Sequence, residues 1–149
     1  MSQLFRLSFL LFLACFLPSA SSASEKFQLK TLLSGRDVIW GFDFISDTQI
    51  IFTERSGKIS LFNLKSGKVV ELKGVPAVYN EGQGGMLDVS VVPQSGGKRI
   101  AFSYSYAKEG LSTTAVGLAD IEGTSLKNVK RIFEAKAWSK NDVHFGSRV

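Results

Sequence analysis

The chain has 149 residues, 44% hydrophobic and 21% charged, with 18 lysines and arginines against 13 acidic residues, a formal charge of +5, one histidine and one cysteine. That length suits one ordinary domain, and a single cysteine excludes a disulfide framework or a thiolate metal site within the chain. The basic residues are interspersed with acidic ones and form neither a run nor a basic helix, which argues against nucleic acid as a partner.

The first stretch, MSQLFRLSFLLFLACFLPSASSASEKF, carries one positive charge at Arg6, an apolar run over 7–17, then Pro18 and small residues. This is the layout of a secretory signal peptide. It predicts a signal over residues 1–23, cut after Ala23 (or after Ala20 or Ser22), and a mature chain of 24–149. The run is shorter than the roughly 20 apolar residues a spanning helix needs. The expectation is an exported protein, periplasmic or secreted, that is not integral to the membrane. Cys15 within "FLAC" keeps open a lipoprotein alternative in which that cysteine is acylated.

After Lys30 the sequence becomes a succession of short apolar runs separated by turn residues. "VIWGFDFI", "QIIFTE", "KISLFNL" and "KVVELKG" alternate with Ser46-Asp47-Thr48, Ser56-Gly57 and Ser66-Gly67. Each run is four to eight residues long and rich in Ile, Val, Phe and Thr, the signal of strands joined by tight hairpins. The expected product is a four-stranded antiparallel meander. After a loop the pattern recurs as "MLDVSVV", "RIAFSYSYA", "TTAVGLADI" and "VKRIFEA", with Phe42 and Asp88 in similar places 46 residues apart. A four-stranded unit recurring at roughly 40–50 residues is the mark of propeller blades.

A third unit would open near "HFGSRV". Propellers typically have about 4–8 blades, and two sheets close no ring. The reading is therefore all-β, either the first two blades of a propeller and the start of a third within a longer protein, which the abrupt end favours, or a small two-sheet β domain.

Two segments are not needed to build strands. In "YNEGQGGMLDV", Gln83 sits among Gly82, Gly84 and Gly85 just before a strand, where glycines allow sharp turns and close approach and the carboxamide can donate and accept. In "VHFGSRV", His144 stands at the mouth of the expected third unit, and a histidine is the usual general base near neutral pH. Composition leaves both open as ordinary loop residues, a solvent-facing glutamine and a histidine bonded to backbone. Their shared placement, each before the first strand of a blade, would bring them to one site. Asp88, Asp120 and Asp142 read as isolated, solvated carboxylates. No phosphate loop, nucleophile elbow or zinc-spaced cluster occurs.

Taken together, "VIWGFDFISDTQIIFTERSGKISLF", "EGQGGMLDVSVVP", "IAFSYSY" and "HFGSRV" resemble, in order and spacing, the glucose/sorbosone dehydrogenase family. These are six-bladed propellers that use pyrroloquinoline quinone (PQQ), and the likeness is greatest to their periplasmic aldose sugar dehydrogenase type. It covers residues 33–149 here but only about the first third of a family member. The resemblance implies oxidation of the C1 hydroxyl of an aldose with hydride transfer to the quinone, and delivery of electrons to an external acceptor. It implies His144 as general base, Gln83 in the substrate and cofactor pocket, and Arg148, beside Ser147, as support. Soluble glucose dehydrogenases carry aspartate immediately before the base, where Val143 stands here.

The resemblance places no metal ligand in this segment. It expects calcium ligands and most quinone-holding residues beyond residue 149, so the 149-residue piece alone would be inactive; a homodimer is compatible with it. The alternatives are a non-catalytic propeller that binds carbohydrate or protein, and an inactive truncated product.

Overall fold

The structure is a computed structural model that describes residues 27–149. The expected signal peptide, its expected cleavage site and Cys15 lie outside the described residues. Every strand belongs to the compact unit Thr31–Val149. Among the described residues no helix is long and apolar enough to cross a membrane.

Eight strands form two four-stranded antiparallel meanders. The first runs β1 (Ile39–Ser46), β2 (Gln49–Glu54), β3 (Lys58–Asn63) and β4 (Val69–Glu71); the second runs β5 (Met86–Val91), β6 (Arg99–Lys108), β7 (Leu111–Glu122) and β8 (Ser125–Glu134). The first three strands fall where period and turn chemistry put them. β7 and β8 begin earlier than expected. Glu109 and Gly110 form a two-residue turn with both φ positive, at 53° and 75°, so β6 and β7 pair down to Lys108 and Leu111. The "SLKN" stretch, read as turn, is strand: Asn128 (φ 51°) is a kink beside a register shift opposite Leu118 and Asp120.

β2 is apolar on both faces, and one of them stacks the first sheet on the second. Ile51, with Ile59 and Leu61 of β3, meets Met86, Val89, Ile100, Phe102 and Tyr104 of the second sheet in one core. Each side chain as fully buried as Ile51 or Phe102 contributes roughly 1.5–3 kcal/mol. Ile50, Phe52 and Phe62 point to the opposite face of the first sheet and pack with Leu33, Leu64 and Val69. There Leu32, Ile39 and Phe42 complete a shallow apolar trough of about 320 Å³. At the outer edge the sheets are tied by backbone: Lys73 N donates to Thr124 O at 3.0 Å and Leu126 N to Lys73 O at 2.7 Å.

The inner strands repeat one device. Each has a register break near its start, between Ile39 and Phe42 in β1 and between Met86 and Val89 in β5. A buried hydroxyl from the second strand serves each break. Thr53 accepts from Gly41 N at 3.1 Å and donates to Leu87 O; Ser103 accepts from Asp88 N at 3.0 Å, and just before the β5 break Ser105 accepts from Gly85 N at 2.6 Å and donates to Tyr79 O.

A second repeated contact runs between units. Asp43 Oδ2 accepts Val91 N at 2.7 Å and the Ser90 hydroxyl at 3.2 Å, while Asp88 Oδ2 accepts Val149 N at 2.9 Å. By register Phe42 matches Val89 and Gly41 matches Asp88, so the two aspartates make similar contacts from different positions. The segment expected to open a third unit, 143–149, forms no strand, yet it lies along the second sheet. Phe145 is buried and the Ser147 hydroxyl donates to that of Ser103.

Candidate functional site

The loop that carries Gln83 joins β4 to β5, and three neighbours press it into shape. Arg55, in the β2–β3 turn, donates through Nη1 to Gly82 O at 2.6 Å and Gly84 O at 3.4 Å, and its own carbonyl accepts Met86 N at 3.1 Å. Gly82 (φ 52°) and Gly85 (φ 143°) hold backbone shapes that side chains rarely adopt. A Cβ on Gly82 would collide with the Asp142 carbonyl, and one on Gly85 with that of Arg55. These glycines are therefore seats for the segments that cross the loop.

One of those segments is 142–144. Gln83 N donates to Asp142 O at 2.7 Å, and Gln83 Oε1 accepts His144 N at 2.8 Å. Two residues separated by 61 positions thus share one hydrogen-bonded corner. Both are exposed. Gln83 N, Gln83 Oε1 and His144 N are engaged, while His144 lines a pocket of about 250 Å³ with Thr113, Ser139, Asn141 and Phe145, a pocket to which Gln83 does not contribute. His144 has a left-handed φ of 68°, a conformation uncommon for non-glycine residues but commoner for histidine than for most. Glu109 with its positive φ sits in a hairpin; His144 does not, and such backbone outliers cluster where a site requires them.

Arg148, four residues on, is not part of this corner. It lines a separate cleft of about 440 Å³ between the inner strands, with Trp40, Asp43, Asp88 and Ser147. It makes no ion pair among the described residues.

The carboxylates read as isolated are engaged. Asp142 Oδ1 accepts the Tyr79 hydroxyl at 2.6 Å, and this hydrogen bond first, with desolvation second, raises the Tyr79 phenol above its usual 10.0. Asp120 is gripped by Arg99 at 2.7 Å and by Asn128 at 2.9 Å; the Arg99 contact first, then Asn128, holds its carboxyl below the usual 3.8. Asp88 has its partner in Val149.

Residues the sequence did not single out are Tyr79 and Arg55. Arg55 stands in "TERSG", where three successive residues act separately. Thr53 bridges the inner strands, Glu54 pairs with Arg36 at 2.7 Å, and Arg55 holds the loop. The signal available was that dense run of polar groups at the end of an apolar strand.

The corner offers one imidazole and one carboxamide, and a separate cleft offers one guanidinium. Among the described residues no group of three His, Cys, Asp or Glu could hold a metal ion.

Residues 36–149 match the Glucose / Sorbosone dehydrogenase family. Over 146 residues the chain is 29% identical to aldose sugar dehydrogenase YliI of Escherichia coli (strain K12), covering 95% of this chain and 39% of that protein. A solved glucose dehydrogenase superposes with a TM-score of 0.69 at 31% identity, covering 73% of this chain and 33% of that one. The PQQ-bound form of an aldose sugar dehydrogenase from Streptomyces coelicolor superposes with a TM-score of 0.59 over 72% of this chain and 33% of that one; at 22% identity this likeness shows the fold alone. The chain spans well under half the length of each of these proteins. Its two sheets are blades of the β-propeller architecture that the four-strand repeat predicts.

Proposed function

The chain belongs to the Glucose / Sorbosone dehydrogenase family, and on that premise we propose that residues 81–85 and 142–148 contribute the general base and part of the pocket of an exported, PQQ-dependent aldose dehydrogenase. The observation that carries this reading is the corner itself. The chain's one histidine is held by the side chain of the glutamine that lies before β5.

In this reading His144 accepts the proton of the sugar C1 hydroxyl. His144 is exposed at the corner, and its backbone N–H is held by Gln83. Positioning of this kind and proton transfer together account for roughly 10²–10⁴-fold in rate for a side-chain base. Gln83, its carbonyl engaged by His144 N, presents Nε2 as a donor to a substrate or cofactor oxygen. Arg148 supplies positive charge one cleft away. The quinone, when bound, supplies the electrophilic carbon that takes up the C1 hydride. In this reading residues 27–149 supply only part of the quinone pocket and no calcium ligand, and the electron acceptor is a separate molecule, so no sugar turnover is expected of the 149-residue chain alone.

The test is a chimaera in which residues 31–149 replace the matching third of the E. coli aldose sugar dehydrogenase, loaded with quinone and calcium. Dye-coupled oxidation of aldoses should be present and His144→Gln should remove it by about 10²-fold or more, with quinone absorbance retained. Full activity in that variant sinks the base assignment. A quinone-loaded chimaera that never bleaches with sugar favours a binding propeller instead.

A further inference from the structure

The corner that holds His144 is not self-supporting; it hangs on a residue outside both segments. Tyr79 is fixed to the second sheet by its backbone: Tyr79 N donates to Ser105 O at 2.9 Å, and the buried Ser105 hydroxyl donates to Tyr79 O. From that anchor its side chain grips the histidine segment on either side of His144. The hydroxyl donates to Asp142 Oδ1 at 2.6 Å, two residues before, and the ring meets Phe145 edge-on, one residue after, at 6.5 Å and 63°. Between these two holds, Asp142 O takes Gln83 N and Gln83 Oε1 takes His144 N. The path from β6 to the imidazole is a continuous set of bonded groups: Ser105, Tyr79, Asp142, Gln83, His144.

We propose that Tyr79 is a positioning residue for His144, keeping it in its left-handed conformation through Asp142 and Gln83. The φ of 68° at His144 is a shape a free segment does not favour, so something must hold it. The Gln83 contact fixes one atom of His144 and the Phe145 ring one neighbour. Tyr79 touches the segment both before and after the histidine. Asp142 lies one position early for the aspartate found before the base in soluble glucose dehydrogenases, and its carboxylate serves Tyr79 instead. The catalytic consequence rests on the proposed role of His144; the positioning itself does not.

The single histidine makes this directly readable. The full chain labelled with [15N]histidine gives one backbone amide signal, that of His144. Tyr79→Phe removes only the hydroxyl and keeps the ring on Phe145. It should shift that signal and speed its hydrogen exchange roughly fivefold to tenfold, the effect of one lost hydrogen bond, while the thermal transition survives. Asp142→Asn keeps an acceptor for the phenol and should stay near wild type. Asp142→Ala should reproduce Tyr79→Phe, and the double variant should be no worse than either, since both break one link. An unmoved His144 signal in Tyr79→Phe and in Asp142→Ala overturns the proposal. Should Tyr79→Phe lose cooperative folding, the contrast between Asp142→Asn and Asp142→Ala decides alone. In the quinone-loaded chimaera, Tyr79→Phe should lower kcat with KM held within about twofold, the pattern of a misplaced base rather than a lost contact. A chimaera in which His144→Gln is active while Tyr79→Phe still moves the amide signal refutes the base and leaves the positioning standing.

Discussion

Thr53→Val is the sharpest probe of how the two sheets are joined. Thr53 is fully buried, and its hydroxyl accepts from Gly41 N at 3.1 Å and donates to Leu87 O across the sheet boundary. Valine has nearly the same shape but no hydroxyl, so it leaves the Gly41 N–H without its partner inside the register break of β1. An orphaned buried donor costs roughly 1–3 kcal/mol, and the extra buried methyl returns at most about 0.8 kcal/mol. The Leu87 carbonyl also loses its donor, so a net loss of about 2 kcal/mol is expected. For a domain of this size that is a fall in Tm of roughly 6–12 °C. Thr53→Ser keeps the hydroxyl and should cost about 0.5–1 kcal/mol for the missing methyl. The assay is thermal or urea unfolding of the three chains side by side. A Thr53→Val chain within about 0.5 kcal/mol of wild type, or a serine variant worse than valine, refutes the idea that hydroxyls hold the inner-strand breaks.

Gly82→Ala should break the Gln83–His144 corner, because its Cβ has no room against the Asp142 carbonyl; the histidine amide signal should move while far-UV dichroism is kept. Arg55→Met removes the donor to Gly82 O and Gly84 O, and amide exchange over 81–85 should rise roughly tenfold with β6 and β7 unchanged. The sign of the acid response follows from Asp120 and Asp37. Asp120 is lowered chiefly by Arg99, and Asp37 by hydrogen bonds from the Val38 and then the Ser56 side. With folded values below 3.8, their stabilisation is present above pH 3.8 and lost as pH falls through the lowered values. Asp120→Asn should therefore flatten the fall of Tm below about pH 4; an unchanged slope counts against it. At the other end, the raised Tyr79 phenol stabilises below pH 10.0 and ceases to as pH rises through its folded value, so Tyr79→Phe should make Tm less sensitive to alkali.

Much of the fold is written locally. "QIIFTE" and "KISLFN" are strands because branched and aromatic residues fill them and Ser-Gly pairs end them, and each turn is a short reversal that fixes which strand comes next. Where local reading failed, a longer-range term had won. "SLKN" carries turn residues, yet pairing with β7 keeps it extended and absorbs Asn128 as a kink. "HFGSRV" has the letters of an opening strand, yet it finds no ladder partner among the described residues and docks through Phe145, Ser147 and Val149 instead.

The site divides along the same line. The two four-stranded meanders, the glycine seat around Gln83 and the singular His144 are legible in short stretches of chain, because propensity, turn chemistry and residue identity act over a few neighbours. That Gln83 and His144 touch, that Asp142 turns to Tyr79, and that Arg148 lies in another cleft are legible in no such stretch. Hydrogen bonds between residues 61 or 63 positions apart depend on how the chain after β8 folds back along the second sheet, where Tyr79 anchors the loop before β5 through Ser105.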